Sequence, residues 1–134
     1  MLSVAPDGVI LRAPIKPNIN HHESVFGGSA SALAILAAWS LLHVRLKSEG
    51  LNCQLVIQRN SMAYLQPILG EFTARSFIPE TSDWQRFIHI IKRNRKARFR
   101  VDSDLVYLGR IAGQFTGDFV AQQKSNISPI DPIL

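Results

Sequence analysis

One long apolar segment constrains the fold more than any other part of this chain. The run FGGSASALAILAAWSLLHVRLKS, from Phe26 to Ser48, contains no charged residue before Arg45. Glycines open the run, Arg45 and Lys47 suit the last turn of a helix, and Gly50 ends the pattern. We predict a helix that begins at Val25 or Phe26 and extends for roughly 33 Å. Because its apolar residues fall on nearly every side, we expect other elements to enclose it.

The rest of the chain predicts strands and one short helix. Val9 to Ile15 is predicted to be a short first strand, ended by Pro14 and Pro17. After the long helix, apolar and polar residues alternate, and Cys53, Leu55 and Ile57 share one face. The later predicted elements are the strands LNCQLVIQRNSMAYLQPI and GEFTARSFI, the helix TSDWQRFIHIIKRN capped by Thr81 or Ser82, and the strands KARFRVDSDLVY and RIAGQFTGDFVAQQ, which form a hairpin around Leu108-Gly109-Arg110.

One long helix among several strands predicts an α+β domain whose antiparallel sheet curls around the helix. The 134 residues are expected to form one domain, with a core at about residues 9–122 and an irregular tail at 125–134. Hydrophobic residues make up 46% of the chain and charged residues 19%, which argues against disorder. Cys53 is the single cysteine, so an internal disulfide framework is excluded and the thiol is expected in the core.

The sequence also indicates the cellular compartment in which the protein is expected. No secretory signal pattern is evident at the amino terminus. The longest apolar run, Ala32 to Leu42, is shorter than the roughly 20 residues that span a bilayer. We therefore expect a soluble, cytoplasmic protein with no membrane partner.

The formal net charge of +5 is concentrated in one segment. RFIHIIKRNRKARFR, from Arg86 to Arg100, contains seven cationic residues and no acid. Such a patch indicates a phosphate-bearing or acidic partner, with a solvated face as the alternative reading. Nucleic acid is not expected, because no stacking aromatic residues alternate with these charges in a known module.

Four blocks, in this order, resemble the hotdog fold and, more narrowly, the YiiD carboxy-terminal thioesterase-like family. Together they cover roughly Val9 to Gln122. The matching residues are Asn18 and Asn20 before Phe26-Gly27-Gly28-Ser29, then Tyr64-Leu65-Gln66-Pro67, Gly70-Glu71-Phe72-Thr73-Ala74 and Phe115-Thr116-Gly117-Asp118-Phe119-Val120. The resemblance implies a curved antiparallel sheet around one central helix. It also implies a homodimer or tetramer with active sites at the subunit interface.

The paired glycines of this motif suit an oxyanion site. Gly27 and Gly28 let a substrate carbonyl approach the backbone closely, and the free N–H groups of a helix start stabilise negative charge on its oxygen. Tight packing of helix on sheet is the alternative explanation. For a thioester carbonyl, losing one such donor typically lowers the rate by about 100- to 1000-fold.

Hydrolysis of a thioester also needs a group that activates water. Many hotdog thioesterases carry a carboxylate on the long helix or the loop before it, and the helix has none from Ser29 until Glu49. The remaining candidates for a general base are His21, His22 and Glu23, just upstream. The two histidines could instead be solvated loop residues, and Glu23 an acid in the first turn of the helix.

The missing helix carboxylate favours a second chemistry as an alternative. Decarboxylation of a malonyl thioester leaves an enolate, which needs a stabilised oxygen but no nucleophile and no base. Gly27, Gly28 and the amide of Asn20 would suffice, and the family resemblance includes malonyl-acyl-carrier-protein decarboxylation. A third reading is a non-catalytic module that binds acyl thioesters.

The expected substrates are thioesters of coenzyme A or of acyl carrier protein. The pantetheine is part of the substrate, so no separate cofactor is expected, and no metal site is predicted. His43 is expected to be a packed side chain. The proposed substrate-binding residues are Asn18, Phe26, Ser29, Asn60, Ser61 and Tyr64 near the acyl group and Arg93, Arg95, Lys96 and Arg98 for the phosphates or the carrier.

Overall fold

The computed structural model describes residues 3–13, 27–79 and 82–124. Within these ranges, eight elements follow one another in the order strand, strand, helix, strand, strand, helix, strand, strand. They are β1 (Ser3–Ala5), β2 (Gly8–Ala13), α1 (Gly27–Ser48), β3 (Cys53–Tyr64), β4 (Phe72–Phe77), α2 (Trp84–Asn94), β5 (Lys96–Tyr107) and β6 (Arg110–Gln123).

All the described strands join one antiparallel sheet in the order β1-β2-β4-β5-β6-β3. The two edges differ, because β1 has three residues whereas β3 has twelve. The helix α1 packs across one face of this sheet, mainly against β2, β4 and β5. This is the hotdog architecture, so the predicted α+β class and the wrapped central helix are confirmed.

Small residues allow α1 to lie close against the sheet. Its buried residues recur at a spacing of three or four, which marks one side of a helix. A hydrogen bond from the Ser103 hydroxyl of β5 to the carbonyl oxygen of Ala34 (3.0 Å) fixes the helix above the middle strands. The buried set is Ala30, Ala34, Ala37, Ala38, Leu41, Leu42 and Leu46.

The expectation that α1 is enclosed on nearly every side is not met in the described chain. The sheet covers only one side of α1, and Leu36 (51% exposed) and Trp39 (37% exposed) face outwards together with Ala32. These three residues are spaced by four and three, so they form one stripe, here called the α1 stripe. In length and composition, Ser29–Ser48 also meets the requirements of a membrane span, contrary to the expectation from the shorter run. The packing of its other face on the sheet accounts for much of this apolar character.

The short helix α2 covers the end of the sheet where β5 begins. Trp84, Phe87, Ile88 and Ile91 form its buried side, and Trp84 meets Phe99 of β5 edge-to-face at 5.3 Å. The predicted cap was Thr81 or Ser82, but the carboxylate of Asp83 accepts the Arg86 backbone N–H at 3.0 Å. Asp83 is extended and directly precedes the helix, which is the geometry that a cap requires.

The predicted hairpin between β5 and β6 is confirmed. Leu108 and Gly109 form its two-residue turn with φ angles of 52° and 74°. A two-residue turn of this kind needs a positive φ at both positions, which glycine adopts without strain. The first predicted strand, Val9 to Ile15, corresponds to β2, while β1, which pairs with it from Ser3 to Ala5, was not predicted.

Candidate active site

The first turn of α1 lies toward the end of the sheet where β3 ends. Ala34 receives its hydrogen bond from Ser103, which pairs with Phe115 of β6, and Phe115 pairs with Met62 of β3. Gly27 precedes Ala34 by two helical turns. The other end of α1 continues through a short turn into Cys53, the first residue of β3, so α1 and β3 run in opposite directions. The amino terminus of α1 and Tyr64 therefore belong to the same end of the molecule.

A β-bulge decides which residues of β3 face the helix. Ile57 pairs with the buried Phe119, but Arg59 pairs with Asp118, so Gln58 is an extra residue in the ladder. Beyond the bulge, the residues on the helix side are Asn60, Met62 and Tyr64, because their partners in β6 are Gly117, Phe115 and Gly113.

The alternation of side chains along β3 places two neighbouring predicted binding residues on opposite sides of the sheet. Asn60 and Tyr64 lie on the helix side of β3, as a role beside the acyl group requires, whereas Ser61 pairs with Thr116 on the opposite, convex side. Ser61 is therefore not brought together with them. Met62 is half-buried between the two and was missed. The appearance of large side chains at even positions, Met62 and Tyr64, after the odd apolar positions 53 to 57 was the signal that could have found it.

Several predicted site residues lie outside the described ranges, and their roles stay predictions. Gly27 and Gly28 form the first turn of α1, where the first four backbone N–H groups of a helix have no partner inside it. Ser29, two residues further on, is half-buried. The residues outside the described ranges are Asn18, Asn20, His21, His22, Glu23 and Phe26.

The helix α1 contains no carboxylate side chain that could act in catalysis. The helix carries no acid from Gly27 to Ser48. Glu49 follows at the far end, where its Oε2 accepts the indole N–H of Trp84 at 2.8 Å. The Arg45 guanidinium also stacks over the Trp84 ring at 4.6 Å from its centroid. Glu49 therefore joins α1 to α2 and lies away from the Gly27-Gly28 turn.

Two other reactive side chains are also remote from the Gly27-Gly28 turn. Cys53 begins β3, and burial raises the pKa of its thiol, which disfavours the reactive thiolate. His43 stacks on Trp39 with ring centroids 4.8 Å apart, and it lies about four turns along α1 from Gly27. Both positions agree with structural roles.

The predicted phosphate-binding cluster lies at the opposite end of the molecule from Gly27. Lys96 begins β5 and pairs with Gln122 of β6, which pairs with Gln54 at the start of β3. This end of the sheet is where α1 finishes. Since α1 has 22 residues and rises about 1.5 Å per residue, roughly 33 Å separates its two ends. Arg93, Arg95, Lys96 and Arg98 are therefore not brought to the Gly27-Gly28 turn of their own chain.

Three arginines on the convex face of the sheet are paired with acids. Each of the three lies beside an aspartate of the same or the neighbouring strand. Asp104 is only 8% exposed, and this burial raises the pKa of its carboxyl group although Arg75 acts against the shift. The three pairs are Arg59–Asp118 at 3.8 Å, Arg75–Asp104 at 3.7 Å and Arg100–Asp102 at 3.0 Å.

Solved structures of other proteins share this architecture. A protein of unknown function from Chlorobaculum tepidum superimposes with a TM-score of 0.82 at 25% identity, over 88% of this chain and 78% of that one. The "putative thioesterase from Shewanella oneidensis" gives 0.80 at 25% identity, over 90% and 81%. A "probable thioesterase" from Pseudomonas aeruginosa gives 0.79 at 16% identity, over 92% and 81%, and supports the fold alone.

Comparison with curated protein sequences finds no significant match. A family model does match, over residues 2–123, and its description is "Putative thioesterase (yiiD_Cterm)". That range includes both glycines of the α1 start and every strand of the sheet. The chain therefore belongs to this YiiD carboxy-terminal thioesterase family.

Proposed function

We propose that the protein hydrolyses acyl thioesters of coenzyme A or of acyl carrier protein. The observation that carries the proposal is the start of α1 at Gly27-Gly28, at the same end of the sheet as Asn60 and Tyr64. Backbone N–H groups of this turn would donate to the thioester oxygen while water attacks the carbonyl carbon. The C–S bond then breaks, and the thiol of the pantetheine arm leaves with a proton.

The base for this reaction would come from the segment before α1. His21, His22 and Glu23 are the candidates, since α1 itself supplies no carboxylate. A histidine with a pKa near neutral is suited to take a proton from water at physiological pH. Asn20 would add a side-chain donor to the oxyanion site.

A direct assay tests this proposal. Purified protein is incubated with malonyl, acetyl and medium-chain thioesters on both carriers, and release of free thiol is followed. We expect Asn20→Ala to lower the rate by about 100-fold, as removal of an oxyanion donor does elsewhere. The matched control is Asn52→Ala, an exposed asparagine at the other end of α1, which should leave the rate unchanged. Hydrolysis that survives His21→Ala, His22→Ala and Glu23→Ala, tested singly and together, would rule out these bases.

The absence of an acid on α1 favours decarboxylation of a malonyl thioester as a second candidate. In that reaction the C–C bond to the carboxylate breaks, carbon dioxide leaves, and the enolate oxygen takes up the charge before a proton restores the acetyl thioester. The same assay distinguishes the two. Carbon dioxide and an acetyl thioester without free thiol indicate decarboxylation, and binding without turnover indicates a non-catalytic module.

The site is also proposed to lie between two copies of the chain. β3 offers twelve residues of backbone at an edge of the sheet that no described strand covers. The α1 stripe places apolar side chains on the helix side of the same sheet, and exposed apolar patches of this kind mark interfaces. Pairing of two β3 edges would extend the sheet across both subunits and bury the two α1 stripes.

The oligomeric state tests this arrangement. We expect the wild-type protein to sediment as a dimer, and Leu36→Asp to shift it towards the monomer because a carboxylate would be buried in the interface. Val4→Asp is the matched control, since Val4 is exposed on β1 at the opposite edge. A wild-type protein that sediments as a monomer at micromolar concentration would contradict the proposal.

A further inference from the structure

The surface of α2 and the start of β5 carries positive charge without compensation. Its six cationic side chains are all exposed, and the described ion pairs do not involve any of them. Asp83 is the single acid between residues 82 and 101, and it caps α2. The six residues, here called the basic surface, are Arg86, Lys92, Arg93, Arg95, Lys96 and Arg98.

The contrast with the paired arginines of the sheet argues against a surface that is charged only for solubility. Arginines 59, 75 and 100 each have an aspartate within 4 Å, whereas Lys96 and Arg98, on the same face of β5 as Arg100, take part in none of the described ion pairs. On α2, the side that faces solvent consists of Gln85, Arg86, His89, Lys92 and Arg93, and no acid lies among them. An uncompensated patch of one sign attracts a partner of the opposite sign.

The basic surface lies too far from the Gly27-Gly28 turn of its own chain to bind a substrate there. Trp84 ties α2 to Glu49, at the carboxy-terminal end of α1. The whole length of α1, roughly 33 Å, then separates the basic surface from Gly27. A substrate held in one protomer alone would leave these charges at the far end of the molecule.

In a twofold-symmetric dimer, the basic surface of one subunit would lie near the Gly27-Gly28 turn of the other. When two β3 edges pair about an axis perpendicular to the sheet, the strands run antiparallel and both helices lie on the same side. The Cys53 end of one β3 then lies beside the Tyr64 end of the other. Because β5 is two strands inward from β3, the partner's basic surface would lie about 10 Å from that edge, at the end where the first chain starts α1.

We propose that the basic surface of each subunit docks an acidic carrier protein whose pantetheine arm enters the active site of the other subunit. The inference rests on the proposed thioester chemistry and on the edge-paired dimer. Arg86 and Arg93 are seven residues apart on one face of α2, about 10 Å. Charge continues from there to Arg98 on β5, so the surface is long and open. Such a surface suits a row of carboxylates on a protein better than a compact group of phosphates.

Charge reversal on α2 tests the docking. The variant Arg86→Glu/Arg93→Glu is compared with Arg86→Lys/Arg93→Lys, which keeps the charge at both positions. The same acyl group is offered on carrier protein, on coenzyme A and on N-acetylcysteamine, which has the thioester but no carrier and no phosphate. We expect kcat/KM on carrier protein to fall about 10- to 100-fold in the Glu variant, mainly through KM, and to be retained in the Lys variant.

The N-acetylcysteamine thioester separates two kinds of failure. If the wild-type protein does not turn over any of the three substrates, the proposed function is wrong. If it turns over all three and the Glu variant acts on carrier protein at the wild-type rate, the docking surface is wrong. An equal loss on coenzyme A and carrier protein would assign the surface to phosphate groups instead, and an equal loss on all three would mean that the variant damages the fold.

A mixed dimer tests whether the surface acts across the interface. One subunit carries the charge reversal, and the other carries alanine at Asn20, His21, His22 and Glu23 with its basic surface intact. With docking in trans, one of the two sites combines intact chemistry with an intact basic surface. Activity on carrier protein should then return to about half that of the wild-type dimer. Activity at or below the level of the reversed variant would show docking in cis and overturn the proposal, as would a monomeric protein.

Discussion

Gly117 offers a direct test of how tightly the sheet is packed under the proposed site. It lies on the helix side of β6, between Asn60 of β3 and Val101 of β5. A Cβ atom at this position would come within 2.8 Å of the Cζ atom of Phe115 and within 3.0 Å of Phe119. Both rings are buried, so neither can move aside without displacing its neighbours.

The expected cost of Gly117→Ala follows from this contact. Inserting a methyl group into a filled core typically costs about 1–3 kcal/mol. Replacing glycine in a strand returns about 0.5–1 kcal/mol, since alanine loses less backbone entropy on folding. The net loss of unfolding free energy should be roughly 0–2.5 kcal/mol, with a midpoint of about 1 kcal/mol. For a domain of this size, a loss of about 1 kcal/mol lowers Tm by about 3–5 °C.

Urea denaturation at one fixed protein concentration measures the effect, because any dimer makes stability depend on concentration. Gly8→Ala is the matched control: it is also in a strand, but its Cβ would meet only the Ser76 carbonyl oxygen at 3.7 Å. We expect that variant to be neutral or slightly stabilised. Phe115→Leu should recover part of the loss when combined with Gly117→Ala, since the two changes share one contact. A Gly117→Ala protein as stable as Gly8→Ala would refute the reasoning.

Three further predictions concern the ends of the helices and the convex face. Trp84→Phe removes the indole N–H donated to Glu49 and should lower the free energy of unfolding by about 1–2 kcal/mol in urea denaturation, whereas Glu49→Gln keeps an acceptor and should cost less. Asp83→Ala removes the α2 cap and should cost about 1 kcal/mol by the same measurement, with Asp83→Ser largely retaining stability. Burial raises the pKa of Asp104 above its ordinary 3.8, so the folded state favours the protonated form. Asp104→Asn should therefore have a higher free energy of unfolding than the wild type at pH 7. This difference in stability should shrink as the pH falls through the raised pKa, and a difference that grows towards pH 4 would contradict the prediction.

Periodicity within single elements was enough to predict most of the fold. The alternation in β5 and β6, with Gly109 between them, predicted a hairpin that the structure contains at the same residues. The amphipathic pattern of α2 likewise predicted its buried face. These features depend on neighbours in the chain, so the sequence records them directly.

The features that were missed depend on tertiary packing. A helix such as α1, apolar on all sides, does not record which side meets the sheet and which is left for Leu36 and Trp39 to expose. The cluster around Arg93 reads as a candidate partner surface in the sequence. Its separation from Gly27 appears only when α1 is laid across the sheet. The predicted cap, Thr81 or Ser82, was wrong, because the start of α2 at Trp84 makes Asp83 the residue that directly precedes the helix.

The β-bulge at Gln58 changes which residues of β3, odd-numbered or even-numbered, face the helix. Before it, odd-numbered residues face the helix, and after it, even-numbered residues do. Deleting Gln58 would join Ile57 directly to Arg59, remove the bulge and leave Asn60, Met62 and Tyr64 opposite their present partners in β6. If Gln58 were instead drawn into the ladder opposite Asp118, every later residue would move by one position, and Ser61 and Ala63 would face the helix. The bulge therefore absorbs one residue of chain length without changing the lining that β3 presents to a substrate.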